Sequence, residues 1–160
     1  MKKKAPQAAD IMNDGPVVLT RDSLVREAAR AMWQDETPVG TVVDDDYHPI
    51  GVISQQGLLR ALLDVVNHEM PAGAVMDYLD PDFPVIEETA SLVGMAEIFA
   101  RQGYTVRGLP VTRDGKLVGI VLRRDVVHAV MEYLKHVDDP AQAALYLSAL
   151  KDADERPSFE

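Results

Sequence analysis

A repeat within the chain constrains its fold more than any other feature of the sequence. Shifting the 160-residue sequence by 68 positions aligns residues 23–66 with residues 91–134 without a gap, and 11 of the 44 aligned pairs are identical. Many other pairs exchange one aliphatic residue for another, so the hydrophobic pattern keeps its phase. A unit of this length cannot bury its apolar face alone, and we expect the two copies to share one core.

Each copy is predicted to contain the same five elements, in the order strand, helix, strand, strand, helix. The first helix has one apolar face, with Asp22 or Ser23 as its predicted N-cap in the first copy and Gly103 as its predicted stop in the second. The two following strands form a hairpin, with turn residues at 45–46 in one copy and 114–115 in the other. A closing helix ends each copy. Near the end of the first helix, Met32 and Trp33 are predicted core or dimer-contact residues.

The sequence predicts an α/β (α+β) fold in which two pseudo-symmetric β-α-β-β-α units pack sheet to sheet. A matching lead-in precedes each copy, with Met12 in the first and Met76 in the second. We therefore place the first unit at residues 8–68 and the second at residues 74–136. Residues 137–160 lie outside the repeat. There Asp138 or Asp139 is the predicted cap, Pro140 takes the first helical position, and a polar tail follows a short helix with Ala143, Ala144, Leu147 and Leu150 on its apolar face. That helix is expected to cover an exposed edge, to mediate self-association, or simply to pack.

The composition narrows the classes of partner. The formal net charge is −10, which disfavours binding to a phosphate backbone, so we expect no nucleic-acid partner. No apolar run approaches the roughly 20 residues that span a bilayer, and no secretory signal follows the basic start, so we expect no membrane contact and a cytoplasmic location. The absence of cysteine excludes a disulfide framework and a thiolate zinc site.

No catalytic set is visible in the sequence. The four histidines are scattered, and none has a recognisable nucleophile and acid at a productive spacing. Residues 44–46 beside His48 resemble a metal-binding cluster, but they occupy a position where the hairpin needs a turn, which is the favoured interpretation. We therefore predict neither an enzyme nor a metal site.

One heptapeptide carries a family resemblance. The stretch GVISQQG at residues 51–57 returns as GIVLRRD at residues 119–125, each time just before the closing helix. Both approximate the pattern G-φ-φ-[ST]-x-x-D. Together with the duplicated order of elements, they resemble a tandem pair of CBS domains (a Bateman module) over roughly residues 8–136.

The resemblance implies two related adenine-nucleotide sites in the cleft between the units. In that family the closing Asp accepts hydrogen bonds from both ribose hydroxyls, and the Ser or Thr three residues earlier faces the phosphate. Here the first unit keeps Ser54 but has Gly57 in place of the Asp. The second keeps Asp125 but has Leu122 in place of the hydroxyl. Neither unit matches the full pattern, and Asp125 favours the second, where arginines can take over phosphate neutralisation.

The predicted ligand-binding residues are Asp125, Leu122, Arg123, Arg124, Arg107, Gly108, Leu109, Pro110, Phe83, Pro84, Val85 and Ser54. Simpler interpretations stay open for them: Asp125 and Ser54 as helix caps, the arginines as partners of surface carboxylates, and the apolar residues as ordinary core. The predicted function is a non-catalytic regulatory module that binds AMP, ADP, ATP or an S-adenosylmethionine-like ligand. It would signal as a homodimer through its shape or through an unknown effector protein. The alternative is an interaction module whose nucleotide sites are degenerate. No other cofactor is predicted.

Overall fold

The computed structural model describes residues 5–102, 106–135 and the single positions 141, 144, 145 and 148. It confirms the predicted fold class. The elements are α1 Ala8–Ile11, β1 Val18–Leu19, α2 Val25–Gln34, β2 Val39–Val43, β3 Pro49–Ser54, α3 Gln55–His68, a 3-10 helix Val75–Tyr78, β4 Ile86–Glu87, α4 Leu92–Arg101, β5 Gly108–Arg113, β6 Lys116–Leu122 and α5 Arg123–Leu134.

The strands form two sheets of three, ordered β1-β2-β3 and β4-β5-β6. In each sheet the short first strand runs parallel to the middle strand, which pairs antiparallel with the last. One apolar cluster lies between each sheet and its helices, and a third joins the two units. That third cluster contains Val39, Val52, Ile120 and Leu122, with Phe83 packed against it. The sheets therefore face each other, as predicted.

The lead-ins cross over between the units. The N–H of Ala8 donates to the carbonyl of Ala90 (2.9 Å), and Asn13 exchanges two backbone hydrogen bonds with Ile120 (2.8 and 2.9 Å). Residues 8–13 thus pack on the second unit, although the repeat groups them with the first.

The second lead-in makes the reciprocal crossing onto the first unit. The N–H of Val75 donates to the carbonyl of Ser23 (2.9 Å), and Val52 exchanges two backbone hydrogen bonds with Asp80 (3.1 and 2.9 Å). Val75 is fully buried in the core of the first unit. Each unit is therefore completed by a segment that precedes the other.

This crossing explains the repeated glycines. A Cβ on Gly119 would lie 2.6 Å from the sulfur of Met12 and 2.8 Å from the carbonyl oxygen of Asn13. A Cβ on Gly51 would overlap the side chain of Leu79 in the same way. Both glycines leave room for the lead-in of the opposite unit, and a side chain at either position would push that lead-in away.

The gapless alignment of the copies is wrong across one strand. Val39 pairs with Ser54 in the first ladder, whereas Gly108 pairs with Leu122 in the second. Since Ser54 and Leu122 are 68 residues apart, Val39 is the structural equivalent of Gly108, at an offset of 69. The hairpin of the first unit is one residue longer than that of the second, and the loop before it is one residue shorter. The two differences cancel, so the sequence alignment needs no gap.

The hairpin turns differ in size. Asp114 and Gly115 both have positive φ (52° and 78°), which is the geometry of a two-residue type I′ turn. In the longer first turn, a carboxylate oxygen of Asp44 accepts from the N–H groups of Asp46 and His48, both at 2.9 Å. These bonds stabilise the charged carboxylate and hold the pKa of Asp44 below its ordinary value, with the backbone N–H of His48 the largest cause.

Several local predictions need correction. α2 begins after Leu24, whose N–H donates to the carboxylate of Glu27 (2.8 Å), so neither Asp22 nor Ser23 is the N-cap. Ser23 instead accepts from the N–H of Thr20 (3.0 Å).

Two predictions at helix ends have different outcomes. Met32 lies in the core, whereas the 85% exposure of Trp33 excludes the core interpretation and leaves the dimer contact as a prediction. Gly103 lies outside the described residues, as do the predicted caps and most of the apolar face of the C-terminal helix. Positions 141, 144, 145 and 148 are helical and exposed. Ala144 therefore does not belong to a buried face.

Candidate functional site

The cleft between the sheets contains two hollows that share Arg107. The larger has a volume of about 480 Å³ and the smaller about 190 Å³. The larger is lined by Val39, Val52, Ser54, Gln56, Arg60, Leu79, Asp80, Pro81, Asp82, Phe83, Pro84, Val106, Arg107 and Gly108. Its walls therefore combine the start of β2, the end of β3 and the start of α3 with the second lead-in and the start of β5.

Ser54 belongs to the larger hollow and also caps α3. Its Oγ accepts from the N–H of Gly57 at 3.2 Å, as the N-cap interpretation predicted. The cap uses one acceptor site of the hydroxyl, so its proton remains available to donate to a ligand oxygen. The capping and ligand-binding interpretations are thus compatible.

The larger hollow has charge of both signs. Arg60 and Arg107 are cationic, and Nη1 of Arg107 donates to the side-chain oxygen of Gln55 (3.3 Å). Asp80 and Asp82 are anionic, and a carboxylate oxygen of Asp80 accepts from the N–H of Asp82 (3.1 Å). A ligand with one anionic end and one end rich in hydroxyl groups matches this distribution.

The smaller hollow lies at the start of α5. Pro38, Arg107, Leu122, Arg123 and Arg124 line it, and the N–H of Arg123 donates to the carbonyl of Arg107 (3.0 Å). Three arginines thus converge beside a helix N-terminus in a chain whose formal net charge is −10. Both features favour an anion.

Asp125 lines neither hollow. It is the third residue of α5, and the N-cap position belongs to Leu122, so the simple capping interpretation of Asp125 is wrong. A carboxylate oxygen of Asp125 lies 3.8 Å from Nε of Arg124. Leu122, where the resemblance implies a hydroxyl, is buried between the sheets.

The predicted site residues therefore divide into groups. Ser54, Phe83, Pro84, Arg107 and Gly108 come together in the larger hollow, while Leu122, Arg123 and Arg124 meet Arg107 in the smaller one. Leu109 and Pro110 are fully buried within β5, and Val85 is 41% exposed outside both linings.

Sequence reasoning missed several residues of the larger hollow, above all Gln56, Arg60, Asp80 and Asp82. The two aspartates belong to the second lead-in, which packs on the first unit. The sequence did contain one signal for Arg60. It lies four residues after Gln56 on α3, and residues four apart share a helix face, so both side chains can line the same hollow.

Position 57 leaves little room for the missing carboxylate. A Cβ on Gly57 would lie 3.2 Å from the carbonyl oxygen of Tyr78 and 3.3 Å from Cγ1 of Ile53. The 3-10 helix is held there by the Tyr78 hydroxyl, which donates to a carboxylate oxygen of Asp64 (2.7 Å). This bond to the neutral phenol raises the pKa of Tyr78. A side chain at position 57 would thus require Tyr78 or Ile53 to shift by a few tenths of an ångström.

Across residues 5–102 and 106–135, no group of three His, Asp or Glu side chains is arranged to hold a metal ion. No helix in the described part of the chain combines the length and apolar character needed to cross a membrane.

Comparison with known proteins places these features in a family. The profile of the CBS domain matches twice, at residues 8–64 and 75–132. Among curated proteins, an uncharacterized protein, MJ1225, from Methanocaldococcus jannaschii is 27% identical over 118 residues, covering 74% of this chain and 40% of the relative. The A-adding tRNA nucleotidyltransferase of Aquifex aeolicus is 30% identical over 128 residues, covering 79% and 14%. The chain thus spans less than half the length of these two relatives.

Solved structures share the fold over most of their length. CBSX2, crystallised in complex with AMP, is 26% identical with a TM-score of 0.67, covering 79% of this chain and 97% of that one. A putative acetoin utilization protein (AcuB) from Vibrio cholerae is 22% identical with a TM-score of 0.68, covering 82% and 94%. The CBS domain pair of MJ0100, in complex with 5'-methylthioadenosine and S-adenosyl-L-methionine, is 19% identical with a TM-score of 0.68, covering 80% and 98%.

Proposed function

Because this chain belongs to the CBS domain family, we propose that it is a non-catalytic regulatory module that binds an adenosine-containing ligand in the larger hollow. The observation that carries the proposal is the joining of Ser54, Phe83 and Arg107 in one cleft of about 480 Å³. That volume lies within the range of about 300–1,000 Å³ typical of small-molecule sites. The AMP complex of CBSX2, at 26% identity, supports this ligand class.

The lining suits each part of such a ligand. Phe83, Val39 and Val52 offer an apolar floor on which a flat base can lie. Asp80 and Asp82 offer carboxylates that can accept from a ribose diol, replacing the carboxylate absent at position 57. Arg60, Arg107 and the Ser54 hydroxyl can then bind phosphate oxygens.

The proposed site lies nearer Ser54 of the first unit than Asp125 of the second. The sequence favours the second unit because of Asp125, yet Ser54 and the predicted base-pocket residues Phe83, Pro84 and Gly108 lie together without it. Phosphate-bearing ligands fit the arginines better than S-adenosylmethionine, whose sulfonium centre is positive. AMP, ADP and ATP are therefore the first candidates.

A thermal-shift and calorimetry panel of AMP, ADP, ATP and S-adenosylmethionine tests the site. A ligand at 100 times its Kd stabilises the folded chain by about 2.7 kcal/mol, which corresponds to a rise in Tm of roughly 5–10 °C for a chain of this size. Arg60→Ala should weaken binding by roughly 10-fold or more, the value of one charge-assisted hydrogen bond. Asp125→Ala should leave the affinity unchanged.

Two results would overturn this assignment. Loss of binding in Asp125→Ala but not in Arg60→Ala would return the site to the second unit. No shift with any of the four compounds at millimolar concentration would favour the alternative function, an interaction module with degenerate sites.

An exposed apolar surface bears on both functions. One face of α3 and the residues after it exposes Leu59, Leu62, Leu63, Val66 and Met70, and one face of α5 exposes Val127, Met131 and Leu134. Exposed apolar patches of this extent mark interaction surfaces. We propose that they join two copies of the chain in a homodimer. Leu62→Asp should then yield a monomer in sedimentation experiments, and an unchanged molar mass would refute this interface.

Signalling follows from the same arrangement. A ligand shifts a protein between two states only to the extent that it binds one of them better. The larger hollow is built from both units, so a bound ligand would favour one relative placement of the two sheets. The dimer or an effector protein would then sense that placement. Capture of a partner equally well with and without nucleotide would instead favour the interaction module.

A further inference from the structure

The second unit has an apolar groove between α4 and α5. Its volume is about 350 Å³, and its walls include Val93, Ala96, Val130, Tyr133 and Leu134. Glu97 supplies charge at its margin. The groove leads to Leu134, the last residue of α5, where the chain continues for 25 further residues after Lys135. The segment that follows α5 thus starts beside an apolar surface.

The described positions of that segment indicate its orientation. Residues 141, 144, 145 and 148 are helical and exposed. Their spacing of three, four and seven residues places them on one side of an α-helix, which therefore faces solvent. By the same spacing, the opposite side contains Ala143, Tyr146, Leu147 and Leu150. In the sequence this set is apolar, so on a helix it would need a surface to cover it.

We propose that residues 141–150 form a helix that lies in the α4–α5 groove of the same chain, with Leu147 and Leu150 against the groove. The six residues 135–140 are enough for the connection of a helical hairpin. Ten helical residues measure about 15 Å, which matches the ten-residue length of α4. Leu134 would then contact this helix, while the exposed residues of α3 and Val127 and Met131 of α5 would remain available to a second copy of the chain.

Paired cysteine variants of the full-length chain test this contact. The sequence contains no cysteine, so the two introduced thiols are the only ones in each chain and no native thiol competes with them. Leu147→Cys is combined in turn with Val93→Cys, Ala96→Cys and Ala100→Cys, which sample the groove wall on α4. Under mild oxidation, at least one pair should give an intramolecular disulfide, seen as a chain of monomer mass that has lost two hydrogens.

The matched control places the thiol on the solvent side. Ser148→Cys, combined with the same three α4 positions, should give no intramolecular disulfide. If the Leu147→Cys pairs form only crosslinks between chains, a second copy occupies the groove and the proposal fails. If no Leu147→Cys pair crosslinks while the Tm of the reduced variants is unchanged, the helix does not lie in the groove and the proposal also fails.

A charge substitution gives an independent readout. Leu147→Asp would place a carboxylate against the apolar groove, and it should lower the Tm by roughly 3–10 °C. Ser148→Asp on the solvent side should leave the Tm unchanged. Equal effects of the two substitutions would overturn the assignment of faces.

Discussion

Gly119→Ala tests the crossing of the lead-ins directly. The new Cβ would lie 2.8 Å from the carbonyl oxygen of Asn13, a backbone atom fixed by its two hydrogen bonds to Ile120. Overpacking costs about 1–3 kcal/mol, and weakening the two backbone bonds adds about 0.5–1.5 kcal/mol each. The lower backbone entropy of alanine in the unfolded chain offsets about 0.4–1 kcal/mol. We expect a net loss of about 1–5.5 kcal/mol, or roughly 2–22 °C in Tm.

The measurement is urea unfolding of the wild type, Gly119→Ala and a control variant in the same segment. Gly15→Ala is the control, since a Cβ there meets its nearest atom at 3.6 Å, an ordinary contact distance. The control should unfold within about 0.5 kcal/mol of the wild type. If Gly119→Ala also stays within that margin, the lead-in does not pack on β6 as described. Gly51→Ala should cost less than Gly119→Ala, because the flexible side chain of Leu79 can move.

Three further outcomes follow from the structure. Gly57→Asp should not restore a nucleotide site. It should lower the free energy of unfolding by about 1–3 kcal/mol, because its Cβ crowds the backbone of Tyr78. A stable variant with tighter AMP binding would contradict this. Hydrogen bonds from Arg113 hold the pKa of Glu88 below its ordinary value of 4.5. The stability that this pair adds to the folded state is therefore fully present above pH 4.5, and it is lost as the pH falls through the lower, folded-state pKa. Glu88→Gln should accordingly be less stable than the wild type at pH 7, with the two converging in acid, and a constant difference would refute the linkage. Acrylamide should quench Trp33 in the monomer almost as it quenches free tryptophan, and protection that grows with protein concentration would place Trp33 in a contact between chains.

The sequence predicted the features that depend on short-range patterns. The order of elements, the 114–115 turn and the face-to-face sheets follow from hydrophobic periodicity, turn chemistry and duplication. The crossing of the lead-ins did not follow, because residues 8–13 contact partners near positions 90 and 120 and no local pattern encodes that choice. The one-residue shift of β5 relative to β2 was hidden because two opposite length changes cancel.

Other predictions were wrong although the sequence contained the information needed to correct them. Ser23 has the usual N-cap side chain, yet the carboxylate of Glu27 binds the Leu24 N–H and moves the helix start by one residue. Trp33 is apolar but lies off the helix face defined by Val25, Ala28 and Met32, so periodicity should have placed it in solvent. The composition of the larger hollow needed the tertiary structure, since four separate segments of the chain meet there.

The crossed lead-ins also set the order in which the molecule can assemble during its synthesis. Asn13 leaves the ribosome 107 residues before Ile120, with which it forms its two backbone hydrogen bonds. At a synthesis rate of about 5–20 residues per second, β6 is made roughly 5–20 s after the first helix that packs on it. Docking of the N-terminal segment closes the longest loop of the described fold, and it should be the last event of folding. In a nascent chain that stops before β6, this segment has no strand to bind and stays accessible to chaperones and proteases. Protection of the N-terminal residues therefore requires that β6 has been synthesised.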